Sequence, residues 1–113
     1  MTTVGQGLLV SGGSVEGTLA TADDVKQVFA LMRRPDLEEV ILLTATASAT
    51  AVVPLLAKVR GVVCRSGGMT SHLAIVSREF GLPCIVGAEI DDPDALEGRR
   101  VVLGEDGSVS LVT

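Results

Sequence analysis

Tryptophan and tyrosine are absent from this chain, and aromatic residues make up only 2% of it. Proteins that hold single-stranded nucleic acid depend on aromatic stacking platforms, which this composition does not supply. A basic excess is missing too: the formal net charge is -5 at pH 7. A phosphate backbone calls for a positive face, so nucleic acid is not the expected partner. Histidine occurs once, at position 72, and a metal centre needs several ligands, so no metal site is expected. Two cysteines, Cys64 and Cys84, lie within apolar runs. They are too few for a disulfide framework and read as reduced, buried thiols. No apolar run approaches the ~20 residues that span a bilayer. The opening MTTVGQG carries no basic and apolar leader. These absences point to a cytoplasmic protein with no membrane partner.

What is present is a large aliphatic fraction. Hydrophobic residues make up 47% of 113 residues, enough for one real core and one domain over residues 1–113. With so few rings, that core must be built from Val, Leu, Ile and Ala.

Residues 6–20 read as two short strands broken by Gly12 and Gly13, a hairpin pattern. Val25, Val28, Phe29 and Met32 follow helical spacing and predict an amphipathic helix. Thr21 or Asp23 is the expected cap, with Arg33 and Arg34 at the far end and Pro35 as the stop. The run 39–45, EVILLTA, suits a strand buried on both faces. A short helix is expected over 49–58, with Pro54 near its first turn or kinking it. GVVC (61–64) is the next buried strand. HLAIVSREF (72–80) reads as a helix that is apolar nearly all round, hence deeply packed. Gly81 is its expected left-handed stop, and PCIVG (83–87) is another buried strand. The acidic 91–98 segment lacks the spacing of a calcium loop and reads as a solvated turn. The chain closes on a hairpin turned by Glu105-Asp106-Gly107. Strands and helices alternate through the middle, which predicts a single α/β domain with hairpins at both ends.

The stretch that carries chemistry is GGMTSH, residues 67–72. It stands between a buried strand and a helix. A glycine-rich turn there exposes backbone N–H groups, and with the helix start it suits an anion. His72 falls in the first turn, where the dipole disfavours imidazolium and keeps the ring neutral. A neutral imidazole is a nucleophile. A cap or space-filling histidine is the alternative that residue types alone leave open. The segment lacks the Gly-Lys-Ser/Thr of a P-loop and the elbow of a serine hydrolase.

The longer run GGMTSHLAIVSREFGLPCIVG (67–87) resembles the phosphohistidine signature of the PEP-utilising enzymes. These include pyruvate phosphate dikinase, phosphoenolpyruvate synthase and enzyme I of the sugar phosphotransferase system. The upstream EVILLTATASATAVVPLLAKVRGVVC and the front SGGSVEGTLA look like the same family's lead-in and opening hairpin. The resemblance implies a swivelling β/β/α phosphohistidine domain that carries phosphate between two active sites. It makes His72 the phosphate acceptor. Gly67 and Gly68 become the phosphate-side turn, and Thr70 and Ser71 the neighbouring hydroxyls. Ser48 is the best match to a family threonine that reaches toward the histidine, with Thr46 and Thr50 as close alternatives, and Arg78 is a candidate for electrostatic support or, equally, for packing or pairing with Glu79 or Asp residues. Leu73 departs from the usual small residue. Arg65-Ser66 replace an acidic residue common before the glycines.

The implied function is a stand-alone phosphocarrier. Phosphate would come from ATP or PEP on a separate ATP-grasp-type nucleotide-binding subunit and leave on a second transfer subunit. The partner and donor would hold magnesium, and the domain itself would bind no cofactor. A binding or regulatory module that keeps the fold without transfer is the alternative.

Overall fold

The computed structural model describes residues 2–45, 53–66 and 72–112. Seven strands close into a barrel: β1 (Thr2–Ser11), β2 (Val15–Thr21), β3 (Val40–Thr44), β4 (Gly61–Cys64), β5 (Cys84–Ile90), β6 (Arg100–Leu103) and β7 (Ser108–Leu111). Around the barrel the order is β1-β5-β4-β3-β2-β6-β7, and β7 pairs back to β1. The run from β2 through β3 and β4 to β5 is parallel, and the other pairings are antiparallel. Closure pairs each of these described strands on both sides. The helices are α1 (Val25–Met32), α2 (Val53–Leu56), α3 (His72–Phe80) and α4 (Pro93–Leu96), with one 3-10 turn at Leu37–Glu39.

Alternation on the parallel strands builds two apolar layers. Ile41, Leu43, Val63 and Ile85 point into the barrel with Leu19, Val101, Leu103 and Val109. Val40, Leu42, Val62, Cys64, Cys84 and Val86 point outward, against Val28 and Leu31 of α1, Leu55 and Leu56 of α2, and Ala74 of α3. Strands buried on both faces explain the unbroken apolar runs at 40–44 and 61–64.

The closing hairpin is present as β6 and β7, but the opening one is not. β1 and β2 are consecutive yet not paired: β1 lies between β5 and β7, while β2 lies between β3 and β6. A local turn reads as a hairpin from sequence. Barrel closure instead gives each strand two other partners.

Helix α1 differs from its sequence reading in both face and cap. Val28 and Leu31 are buried, whereas Phe29 is 58% and Met32 48% exposed. The cap is Asp24, whose Oδ1 accepts the Gln27 N–H at 2.8 Å. Asp23 instead accepts the Ala45 N–H, and its own N–H donates to Gln27 Oε1. At the far end Arg34 makes a two-pronged pair with Asp36, Nε to Oδ1 and Nη2 to Oδ2, both at 2.9 Å. The guanidinium holds the Asp36 carboxyl below its ordinary range.

Pro54 falls in the first turn of α2, and residues 49–52 of the expected helix lie outside the described residues. α3 is also less buried than its composition suggests. Ala74 and Ser77 are fully buried, but Ile75 is 44% and Phe80 54% exposed. Small residues at i and i+3 let the helix lie close on the barrel along one narrow edge. Gly81 (φ 65°) ends it as expected: its N–H donates to Arg78 O, and the Leu82 N–H to Ser77 O. These are the two bonds of a Schellman stop.

β5 runs past its expected end at Gly87 to Ile90. Its pairing with β1 slips by one residue between Gln6↔Glu89 and Leu8↔Val86. Gly87 has φ 60°, so an extra residue is absorbed there as a bulge. The acidic segment makes one helical turn, α4, whose Leu96 plugs the barrel. Among the described residues, no three His, Cys, Asp or Glu side chains gather as a cation site. No described helix is long and apolar enough to cross a membrane. Cys64 and Cys84 are free, buried thiols.

Candidate functional site at the C-terminal strand ends

In a parallel sheet the ends of neighbouring strands lie side by side, and the connections that leave them share one edge. Here Thr44 of β3 is paired in register with Cys64 of β4. The chain leaving β3 leads to residue 48. The chain leaving β4 leads to residues 67–71 and then to His72, the first residue of α3. Ser48, Gly67, Gly68, Thr70 and Ser71 lie outside the described residues, as does the side chain of His72. The topology therefore brings the two predicted segments out from adjacent strand ends.

Those exits are tied down. The Arg65 N–H, just past β4, donates to the O of Thr44, the last residue of β3, at 2.9 Å. The Gly87 N–H at the β5 bulge donates to Ser66 O at 3.3 Å. On the other side, Asp23 Oδ1 accepts the Ala45 N–H at 2.6 Å. Sequence reasoning had Asp23 as a helix cap and missed this link, which spans 22 residues in the chain. The only local signal was a second aspartate beside Asp24, available for a different task. An open cleft of about 500 Å³ lies at the same end, lined by Ala45, Arg65, Ala88, Glu89 and Ile90.

Arg78 lies in the last turn of α3, and its Nε donates to Val10 O of β1 at 3.1 Å. It stands six positions after His72, roughly 9 Å along the helix axis. Its Nε thus ties α3 to the barrel wall.

Beneath α3 is a small buried polar group. Ser77 is fully buried, and among the described residues its hydroxyl has no partner of good hydrogen-bond geometry. It faces the Cys84 thiol, whose pKa burial pushes up to about 11 against the milder opposing pull of that hydroxyl. At such a pKa the thiol stays protonated at neutral pH, so it is a packing group and not a nucleophile.

The class this defines is a mixed barrel domain with helices on one flank and a single histidine starting a helix at the C-terminal ends of its parallel strands. The chain belongs to the PEP-utilising enzyme mobile domain family, whose model matches residues 37–107. A rifampicin phosphotransferase of Streptomyces sviceus is 35% identical over 108 residues, 95% of this chain and 12% of that protein. A probable phosphoenolpyruvate synthase of Archaeoglobus fulgidus is 36% identical over 86 residues, 75% of this chain and 11% of that protein. Among solved structures, the N-terminal domain of Enzyme 1 - Nitrogen matches with a TM-score of 0.55 and 25% identity, covering 75% of this chain and 37% of that one. The chain thus spans about a tenth of the length of these two curated relatives.

Proposed function

We propose that this domain is a phosphohistidine carrier in which His72 accepts a phosphoryl group from one active site and surrenders it at another. The observation that carries the reading is the family membership of a chain whose one histidine starts a helix at the parallel strand ends. In the first step an imidazole nitrogen lone pair attacks phosphorus and the bond to the donor's bridging oxygen breaks. That oxygen keeps the electron pair and leaves on ADP or as pyruvate enolate. In the second step an acceptor oxygen attacks phosphorus, the N–P bond breaks, and the imidazole regains its lone pair.

The helix start favours a neutral ring and then a negative charge on it. In this reading Gly67, Gly68, Thr70 and Ser71 are the N–H and hydroxyl donors to that charge, and Ser48, on the connection that follows β3 in the sequence, is a further hydroxyl donor. Arg78 works by holding α3 on β1. The donor is ATP or PEP, bound with magnesium on an ATP-grasp-type subunit. A second transfer subunit binds the acceptor, and the domain swivels between them. Supply from outside fits the relatives, in which the matching segment is a small part of a phosphotransferase or a synthase.

The test is incubation with ATP or PEP and a cognate nucleotide-binding subunit, read by intact mass. A single phosphate adduct is expected, and His72→Ala should abolish it while the fold persists. Equal labelling of the variant would sink the assignment.

A further inference from the structure

We propose that Asp23 is a positioning residue for phosphoryl transfer, acting through the exit of β3. This rests on reading His72 as the acceptor and the chain beyond Ala45 as part of its support. Asp23 looks like a helix cap from sequence, but Asp24 does that work, with its Oδ1 on the Gln27 N–H. Asp23 Oδ1 instead takes the Ala45 N–H at 2.6 Å, the first residue past β3. Its own backbone N–H donates to Gln27 Oε1 at 2.7 Å, so α1 fixes the backbone that carries the carboxylate.

The backbone ladder between β2 and β3 explains why a side chain is needed here. The strands pair in parallel up to Thr21↔Leu43, and the Ala22 N–H donates to Leu43 O. The chain then turns into α1, so no backbone acceptor follows for the next N–H of the β3 edge. Asp23 supplies one and adds a rung to the ladder. A bond from a carboxylate is stronger than one from a neutral carbonyl and fixes direction as well as distance. On the β4 side the corresponding exit is held by the Gly87 N–H on Ser66 O. The connections that follow β3 and β4 thus leave from fixed points. Transfer depends on such fixing, because a misplacement of about 1 Å can cost roughly 100-fold in rate.

The test uses phosphoramidate as the donor, which needs no partner. The His72 imidazole attacks phosphorus, the P–N bond to the amino group breaks, and protonated nitrogen leaves as ammonia. Labelling of wild type at His72 shows that the imidazole is open and nucleophilic, as the acceptor reading requires, and its absence would sink that reading before any Asp23 variant is made. Given wild-type labelling, Asp23→Ala is expected to lower the rate constant per folded molecule about 10-fold or more. Asp23→Asn, whose amide oxygen can accept the same bond, should keep most of the rate. Val109→Ala is the control: it thins the barrel core from β7 without touching Asp23, Gln27 or Ala45, and should lower melting temperature but not the labelling rate. Amide exchange at Ala45 should quicken in Asp23→Ala beyond any change in Val109→Ala. Should Asp23→Ala fail to fold, Asp23→Ser, one bond shorter, carries the same comparison. Equal rates in wild type and Asp23→Ala would overturn the proposal. So would an equal loss in Asp23→Ala and Val109→Ala.

Discussion

Raising the pH should destabilise this domain through one thiol. Cys84 is fully buried on the outward face of β5, under α3. Burial raises its pKa from an ordinary 9.0 to about 11. Between those values the unfolded chain releases the proton while the folded one keeps it. The unfolded state then binds fewer protons, so stability falls as pH rises. A raised value means the contribution is fully present below pH 9 and is lost toward pH 11. At about 1.4 kcal/mol per unit, the loss over that window is on the order of 2–3 kcal/mol. That is a large share of the stability of a small domain, typically about 5–15 kcal/mol. The assay is urea unfolding at a series of pH values from neutral upward, by far-UV circular dichroism. Thiolate formation can be followed in parallel by ultraviolet absorbance, because the chain has no Tyr or Trp to obscure it. Cys84→Ala should start from a lower plateau, since it leaves a small void, but should lose the steep alkaline slope. A wild-type curve that stays flat across the window would refute the reasoning. So would a slope that survives in Cys84→Ala.

Other outcomes follow from single residues. Ser77→Ala removes a buried hydroxyl with no good partner and replaces it with a better helix former. It should stabilise the fold by about 1 kcal/mol, measured by urea unfolding, because an unsatisfied buried polar group costs about 1–3 kcal/mol. Gly81→Ala should destabilise by about 1 kcal/mol through backbone conformation alone, since φ is 65° and an added Cβ would meet nothing within 4 Å. Thermal melts of that variant against Gly81→Asn, which tolerates the left-handed region better, would check the cause.

Where one residue's neighbours decide the structure, the sequence was legible. Runs 40–44 and 61–64 are too short and too apolar for anything but doubly buried strands, and they are such strands. Gly81 stops α3 because a left-handed residue is needed there, which local pattern conveys. Glu105-Asp106-Gly107 likewise turns the last hairpin. What could not be read depends on partners far along the chain. Phe29 and Met32 share helical spacing with Val28, yet the packed edge of α1 is Val28 and Leu31, and only the barrel's shape settles that. Gly12 and Gly13 signal a turn equally well whether or not the flanking strands pair. The bond from Asp23 to Ala45 joins residues with no local relation. At the candidate site, the sequence singled out His72, Gly67 and Gly68 as expectations, and the glycines and the imidazole lie outside the described residues. It could not show that their strand and the strand leading to Ser48 end side by side, because that depends on the register Thr44↔Cys64.

The central claim is that phosphate travels on His72. The direct measurement is fragmentation mass spectrometry of the domain after exposure to a phosphoryl donor, with adduct stability followed in acid and in base. The account predicts one phosphate, located on His72, labile in acid and stable in base. An acid-stable phosphate on a serine or threonine, or no adduct with any donor and cognate subunit, would contradict it.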